Sequence, residues 1–150
     1  GGNFYEADKA FVANNIAYVT ENAGNYTWHK MGNGVNGQVN AITKYDDKIF
    51  VGGSFDSASG IYAHNIAFWD GSSWHNAGCI DGTVNDLAVF ENKLFAVGSF
   101  SACLSGAGKN FAMWNGSDWQ MISGISGNIN TLEATMIIWF WAENLIMIRH

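Results

Sequence analysis

The side chains in this sequence best suited to chemistry are two cysteines, Cys79 and Cys103, four histidines and a scatter of carboxylates. No Cys or His pair stands at the spacing of a zinc site. His29 and His75 each follow a Trp, in Trp28-His29 and Trp74-His75, which marks two related segments more than a shared ligand set. His64 and His150 fall in a loop and at the terminus, and no Asp-rich calcium loop is present, so neither a metal nor a cofactor is expected. A glycosidase needs two carboxylates at a set separation. Asp46, Asp47, Asp56, Asp70, Asp81, Asp86, Glu91 and Asp118 mostly sit where turns are expected, and Asp is favoured there for its short hydrogen-bonding side chain. There is no nucleophile elbow, and catalysis is the weaker reading. Asn25-Tyr26-Thr27 and Asn115-Gly116-Ser117 would be glycosylation acceptors only in a secreted eukaryotic chain, and such triplets arise by chance in an Asn-rich sequence.

These residues are carried by a repeat of about 45 residues. Trp28-His29-Lys30-Met31-Gly32 aligns with Trp74-His75-Asn76-Ala77-Gly78 and with Trp119-Gln120-Met121-Ile122-Ser123. Gly37-Gln38-Val39-Asn40-Ala41-Ile42 aligns with Gly82-Thr83-Val84-Asn85-Asp86-Leu87 and Gly127-Asn128-Ile129-Asn130-Thr131-Leu132. Lys48-Ile49-Phe50-Val51-Gly52-Gly53-Ser54-Phe55 matches Lys93 to Phe100 with a shift at the glycine pair, and Gly1-Gly2-Asn3-Phe4 is the tail of the same element one unit earlier. Asn65-Ile66-Ala67-Phe68-Trp69 matches Asn110-Phe111-Ala112-Met113-Trp114, with a weaker copy at Asn15-Ile16-Ala17-Tyr18.

Each unit therefore holds four short apolar segments, the strand count of one propeller blade. Asp46-Asp47 and Glu91-Asn92 are predicted hairpin turns, because short polar residues tolerate positive φ. Asp70-Gly71 and Asn115-Gly116 supply a second turn. The glycine pair of the second strand is expected where an aromatic of another strand approaches the backbone. An apolar strand, a Gly-Gly strand, an aromatic and then a Trp in this order resemble the kelch repeat. The wording of the units is similar to repeats of bacterial secreted propeller proteins and fungal cortical-marker surface proteins, over roughly residues 1 to 133. The resemblance implies an all-β fold, a partial kelch-like β-propeller of about three four-stranded antiparallel blades whose ring this chain does not close. The expected units are the end of one blade at 1–33, a second blade at 34–78, a third at 79–123 and the start of another at 124–150.

Composition agrees with packed strands: 48% hydrophobic, 15% aromatic, 13% charged, with 18 Gly and no Pro. A net charge of −6 with seven Lys and Arg argues against nucleic acid and anionic membranes. The Gly1-Gly2-Asn3-Phe4 start has no initiator Met, basic region or signal core and is expected to be cut from a longer chain. Beyond Ala134 the repeat stops. Thr135 to Ile148 is too short for a spanning helix and contains Glu143 and Asn144, so no membrane span is expected. A shifted reading of Ile137 through Leu145 spells Asn-Leu-Val-Leu-Gly-Gly-Lys-Phe, the missing second strand. The expectation is that a frameshift in the source DNA produced residues from about 134 onward, in a stretch that retains high β propensity.

Cys79 precedes the hairpin Val84 to Phe100 and Cys103 follows it, so both lie at one end of it. Two readings stay open, a local disulfide and two ordinary small core residues. Recurrent Trp and Phe are expected to form the core rather than a stacking platform. A ligand is sought in the divergent loops that join the second and third strands, through Asp56, Ser57, Tyr62, His64, Ser101 and Lys109. The leading expectation is a non-catalytic binding or adhesion segment of an extracellular or cell-surface protein, with a protein or glycan ligand. Missing blades or an oligomer would complete the ring. The alternatives are a domain of a secreted carbohydrate-active enzyme and an intracellular adaptor, the latter requiring reduced cysteines.

Overall fold

The computed structural model describes residues 1–7, 11–103, 109–125, 127–135 and 145–149. Most of the segment assigned to a shifted frame, 136–144, lies outside the described residues. Every pairing among the described strands is antiparallel, and no described residue is helical. In chain order, β1 (Glu6–Ala7) pairs with β2 (Phe11–Val12), and β3 (Ala17–Asn22) with β4 (Asn25–Lys30). Then come β5 (Gln38–Tyr45), β6 (Lys48–Ser54), the small hairpin β7 (Ser57–Ala58) and β8 (Ile61–Tyr62), β9 (Ile66–Trp69) and β10 (Trp74–Asn76). The next unit is β11 (Ile80–Phe90), β12 (Lys93–Ala102), β13 (Lys109–Trp114) and β14 (Trp119–Met121), followed by β15 (Thr131–Thr135) paired with β16 (Leu145–Arg149). Among the described residues two sheets are complete four-stranded meanders, ordered β10-β9-β6-β5 and β11-β12-β13-β14, and no sheet closes on itself.

Local chemistry sets these hairpins. Asp46 and Asp47 have φ of 49° and 56°, and Glu91 and Asn92 have 47° and 57°. Two consecutive positive-φ residues make the turn whose twist matches that of paired strands. At the outer hairpin, Asp70 Oδ1 accepts bonds from the Ser72 amide (2.8 Å), the Ser72 hydroxyl (2.9 Å) and the Ser73 amide (2.8 Å). Asn115 does the same with Ser117 and Asp118 one unit on.

The Ser72 and Ser73 amides, His75 at 2.6 Å and the Ser72 hydroxyl hold the Asp70 carboxyl well below the usual carboxylate range. A carboxylate whose pKa is depressed by folding adds stability above its unfolded pKa, and that stability is lost as pH falls from about 4 toward the folded value. Asn115 shows that an amide makes the same turn. The variant Asp70→Asn should therefore keep its stability near neutrality close to the parent's. Its stability should fall less steeply than the parent's on acidification, read from urea midpoints between about pH 5 and 2.

Successive sheets dock face to face through three contacts that recur. The ladder slips between Val39 and Ala41 in one unit and between Val84 and Asp86 in the next. These bulges re-aim the extra residue. Asn40 Nδ2 thus reaches Val84 O at 2.9 Å, and Asn85 Nδ2 reaches Ile129 O at 2.8 Å. The indole of the fourth strand reaches back, Trp74 Nε1 to Met31 O and Trp119 Nε1 to Ala77 O, both 2.7 Å. Thirdly, Asn65 in the turn before β9 accepts from Phe55 N–H (3.1 Å) and donates to Ile80 O (3.0 Å). Asn15 and Asn110 hold the equivalent groups, Phe4 and Val35 for one, Phe100 and Gly127 for the other. Identical contacts from each unit to the next mean one repeated docking operation, which generates an arc of blades.

The apolar cores lie between the sheets. Ile16, Met31, Val35, Val51, Ala67 and Trp74 form one, and Phe50, Leu87, Leu94, Trp114 and Trp119 belong to the next. Phe50 is 1% exposed and meets Trp114 edge-on at 5.7 Å. Burial of a side chain of this size stabilises by roughly 1.5–3 kcal/mol. The aromatic approach expected at the Gly-Gly strand occurs elsewhere: a Cβ on Gly78, which has φ 81°, would sit 3.2 Å from Trp119 Cδ1. What closes on Gly52 is aliphatic, Val84 of the next unit.

Beside β3 and β4 an apolar recess of about 510 Å³ is lined by Ile16, Tyr18, Met31, Ile42, Ile49 and Trp69. The repeat maps these onto Ile66, Phe68, Ala77, Leu87, Leu94 and Trp114, all members or packing partners of the cluster that holds Phe50. The recess is thus the seat that a second-strand aromatic fills one unit later. Trp28, aligned with the buried Trp74 and Trp119, is accordingly 42% exposed.

Candidate functional site

In a meander, strand direction alternates, so the connection from second to third strand and the linker to the next sheet emerge at the same end. That end carries β7–β8, the linkers after β4 and β10, and the β12–β13 connection. Two polar recesses open there. One, of about 330 Å³, is lined by Asn14, Asn33, Asn36, Ser57, Ser59 and Gly60 among others. The second, of about 410 Å³, is lined by Asp81, Ser99, Ser101, Lys109, Asn110 and Asn128 together with Phe100.

The first recess is organised by its own amides. Asn36 Oδ1 accepts from the Asp56 and Ser57 amides, both at 2.9 Å, Asn33 N–H reaches Ser59 Oγ at 2.7 Å, and Asn14 Nδ2 reaches Asn33 O at 2.8 Å. Of the loop residues singled out in the sequence, Ser57 lines this recess, and Ser101 and Lys109 line the other. Asp56 contributes its backbone to Asn36. Tyr62, 60% exposed, meets the His64 ring edge-on at 4.1 Å. Sequence reasoning missed Asn14, Asn33, Asn36, Asp81 and Asn128. The four Asn stand in turns and linkers and Asp81 at the start of β11, rather than in the divergent loops, and only the alternation of strand direction brings these positions and the loops to one end.

The structure also joins Cys79 and Cys103 as a disulfide, Cα to Cα 5.6 Å, beside the first ladder pair of β11 and β12, Ile80 with Ala102. His64, from the preceding unit, stands next to them: its ring nitrogen and the two sulfurs lie within 4.8 Å of one another.

Several of the carboxylates are engaged in structural contacts. Asp86 Oδ2 binds Thr131 Oγ1 and the Leu132 amide of the following unit, each at 2.8 Å. Asp118 Oδ1 accepts from the Trp119 amide, and Asp46 and Asp47 pair with Lys48 and Lys44 at the opposite end. His29 and His75 each stack within their own sheet, on Tyr18 and on Phe68.

Four-stranded antiparallel meanders docked in series through the same Asn and Trp contacts define a β-propeller segment, all-β and with its ring open. The chain belongs to the Rax2 C-terminal beta propeller domain family, whose model matches residues 16–147. No curated protein and no solved structure matches it. Among the described residues no helix is long and apolar enough to cross a membrane.

Proposed function

We propose that this propeller segment is a non-catalytic binding module of an extracellular or cell-surface protein, taking a protein or glycan ligand on the end that carries its variable loops. The observation that carries this reading is the pair of polar recesses between successive units, rich in Asn and Ser and flanked by an exposed Tyr62. Amide and hydroxyl groups held in place by their own hydrogen bonds suit a neutral polyhydroxyl or peptide-backbone ligand, because they offer donors and acceptors at little ordering cost. Engagement of Asp70, Asp86 and Asp118 in turns and inter-unit bonds favours binding over acid–base catalysis. The location outside the cell is supported by the family and by the cysteine bond. Further blades or a second chain are proposed to fill the open apolar recess beside β3.

The test is retention on a glycan array and on intact cells, alongside a hydrolase panel. Tyr62→Ala and Lys109→Ala should each weaken retention by about tenfold, equivalent to about 1.4 kcal/mol. Lys44→Ala, at the opposite end, should leave it unchanged. Hydrolysis abolished by replacing one acidic residue would instead identify a carbohydrate-active enzyme.

A further inference from the structure

His64, Cys79 and Cys103 occupy positions where their units depart from the repeat. The inter-unit Asn clamp sets the register: Asn65 binds Ile80 O as Asn15 binds Val35 O, so Gly34 stands where Cys79 does. The turn residue before the clamp is Asn14 in one unit, His64 in the next and Lys109 in the third. The docking of units nevertheless brings all three side chains to one point, with the ligand atoms within 4.8 Å of each other. His64 is held there by the turn it shares with the clamped Asn65, by a φ of 41° and by the Tyr62 ring at 4.1 Å.

We propose that this cluster is a redox-gated site for a thiophilic cation of the Zn(II) class, closed while Cys79 and Cys103 are bonded and opened by their reduction. Two thiolates and an imidazole are the donor types that select such a cation. Zinc–sulfur and zinc–nitrogen bonds of about 2.3 and 2.0 Å place tetrahedral donors about 3.3–3.8 Å apart. The ring nitrogen lies within 4.8 Å of both sulfurs, and with the Cα atoms 5.6 Å apart, breaking the S–S bond lets side-chain rotation move the sulfurs apart to this spacing.

Cys103 is the more exposed residue of the pair. A dithiol reductant attacks it through a thiolate, breaking the S–S bond and expelling the Cys79 thiolate. The second thiol of the reductant then resolves the mixed disulfide. The reductant leaves as a cyclic disulfide, having supplied both electrons, and two protein thiols remain. Cation binding displaces a proton from each thiol, while neutral His64 donates a ring-nitrogen lone pair and water completes the coordination. Because His64 and the cysteines come from adjacent units, the bound cation would tie one blade to the next.

The test uses the whole chain, reduced with a water-soluble phosphine so that no small thiol competes, and titrated with Co(II) and then Zn(II). The expected result is no cation uptake by the oxidised chain. After reduction, a near-ultraviolet thiolate-to-cobalt band should appear, saturate at one cation per chain and be displaced by Zn(II). His64→Ala should weaken affinity by about tenfold or more while retaining the thiolate band. The double variant Cys79→Ser with Cys103→Ser should lose the band. The proposal is overturned if reduced chain shows no thiolate band, if the double variant binds as tightly as the parent, or if His64→Ala leaves affinity unchanged. Reduction that collapses native tryptophan fluorescence without recovery on adding Zn(II) would overturn it equally, since no site would then be preformed.

Discussion

Asn65→Ala should destabilise the chain by about 3 kcal/mol, seen as a lower urea midpoint with an unchanged slope. Asn65 joins the Phe55 amide of its own unit to the Ile80 carbonyl of the next, at 3.1 and 3.0 Å. Both partner residues are buried, at 3% and 0% exposure. Removing the amide therefore leaves one donor and one acceptor without partners, at roughly 1–3 kcal/mol each. Alanine also inherits a φ of 68°, a left-handed conformation that costs a residue with a Cβ about 1 kcal/mol or more. Asn65→Gly separates the two terms, because it relieves the backbone strain and leaves both groups orphaned. It should recover about 1 kcal/mol and no more. Asn65→Asp should keep the Phe55 bond but set a carboxylate oxygen against the Ile80 carbonyl. Asn110→Ala, at the same clamp one unit later, should lose a comparable amount, since its bonds are 2.9 and 2.6 Å. A loss below about 0.5 kcal/mol at Asn65 would show that the clamp does not hold adjacent blades together.

Gly52→Val should cost about 2–3 kcal/mol, read from the same denaturation curves. A Cβ at Gly52 would lie 2.5 Å from Val84 Cγ1 and 3.0 Å from Val84 Cβ. Val84 is fully buried and stiff at χ1, so the clash is relieved only by separating the two sheets. The internal control is natural: the repeat places Val97 where Gly52 stands, and Val97 packs without exposure in a cluster with Ile129 and Leu132. The glycine is thus required by the spacing of one interface and not by strand conformation. A double variant, Gly52→Ala with Val84→Ala, should lose less than the sum of the two single changes, because the methyl groups compete for one space.

Several features of the fold were legible in the residues. Asp46-Asp47 and Glu91-Asn92 were expected as tight turns, and their positive φ values agree. The spacing of Trp69, Trp74, Trp114 and Trp119 pointed to core, and Trp74, Trp114 and Trp119 are buried. The β propensity of the aberrant tail is consistent with the pairing of Leu145–Arg149 along Thr131–Thr135. Asn15, Asn65 and Asn110 were visible as an aligned column, but the column does not say that each side chain spans two units. The role expected for the glycine pair needed correction for the same reason: which side chain closes on Gly52 depends on how two sheets dock.

Local composition and the period thus determined on their own what each unit of this propeller is. Turn conformation and strand alternation arise from backbone sterics and from which faces must leave water, and those operate within a few residues. The tertiary structure alone decided what meets across units: Asn33 and Asn36 beside Ser57, Trp119 over Gly78, and His64 against Cys79 and Cys103. Such contacts depend on the angle and distance at which one sheet settles on another, set by the summed packing of many side chains, and no short stretch of sequence encodes that sum.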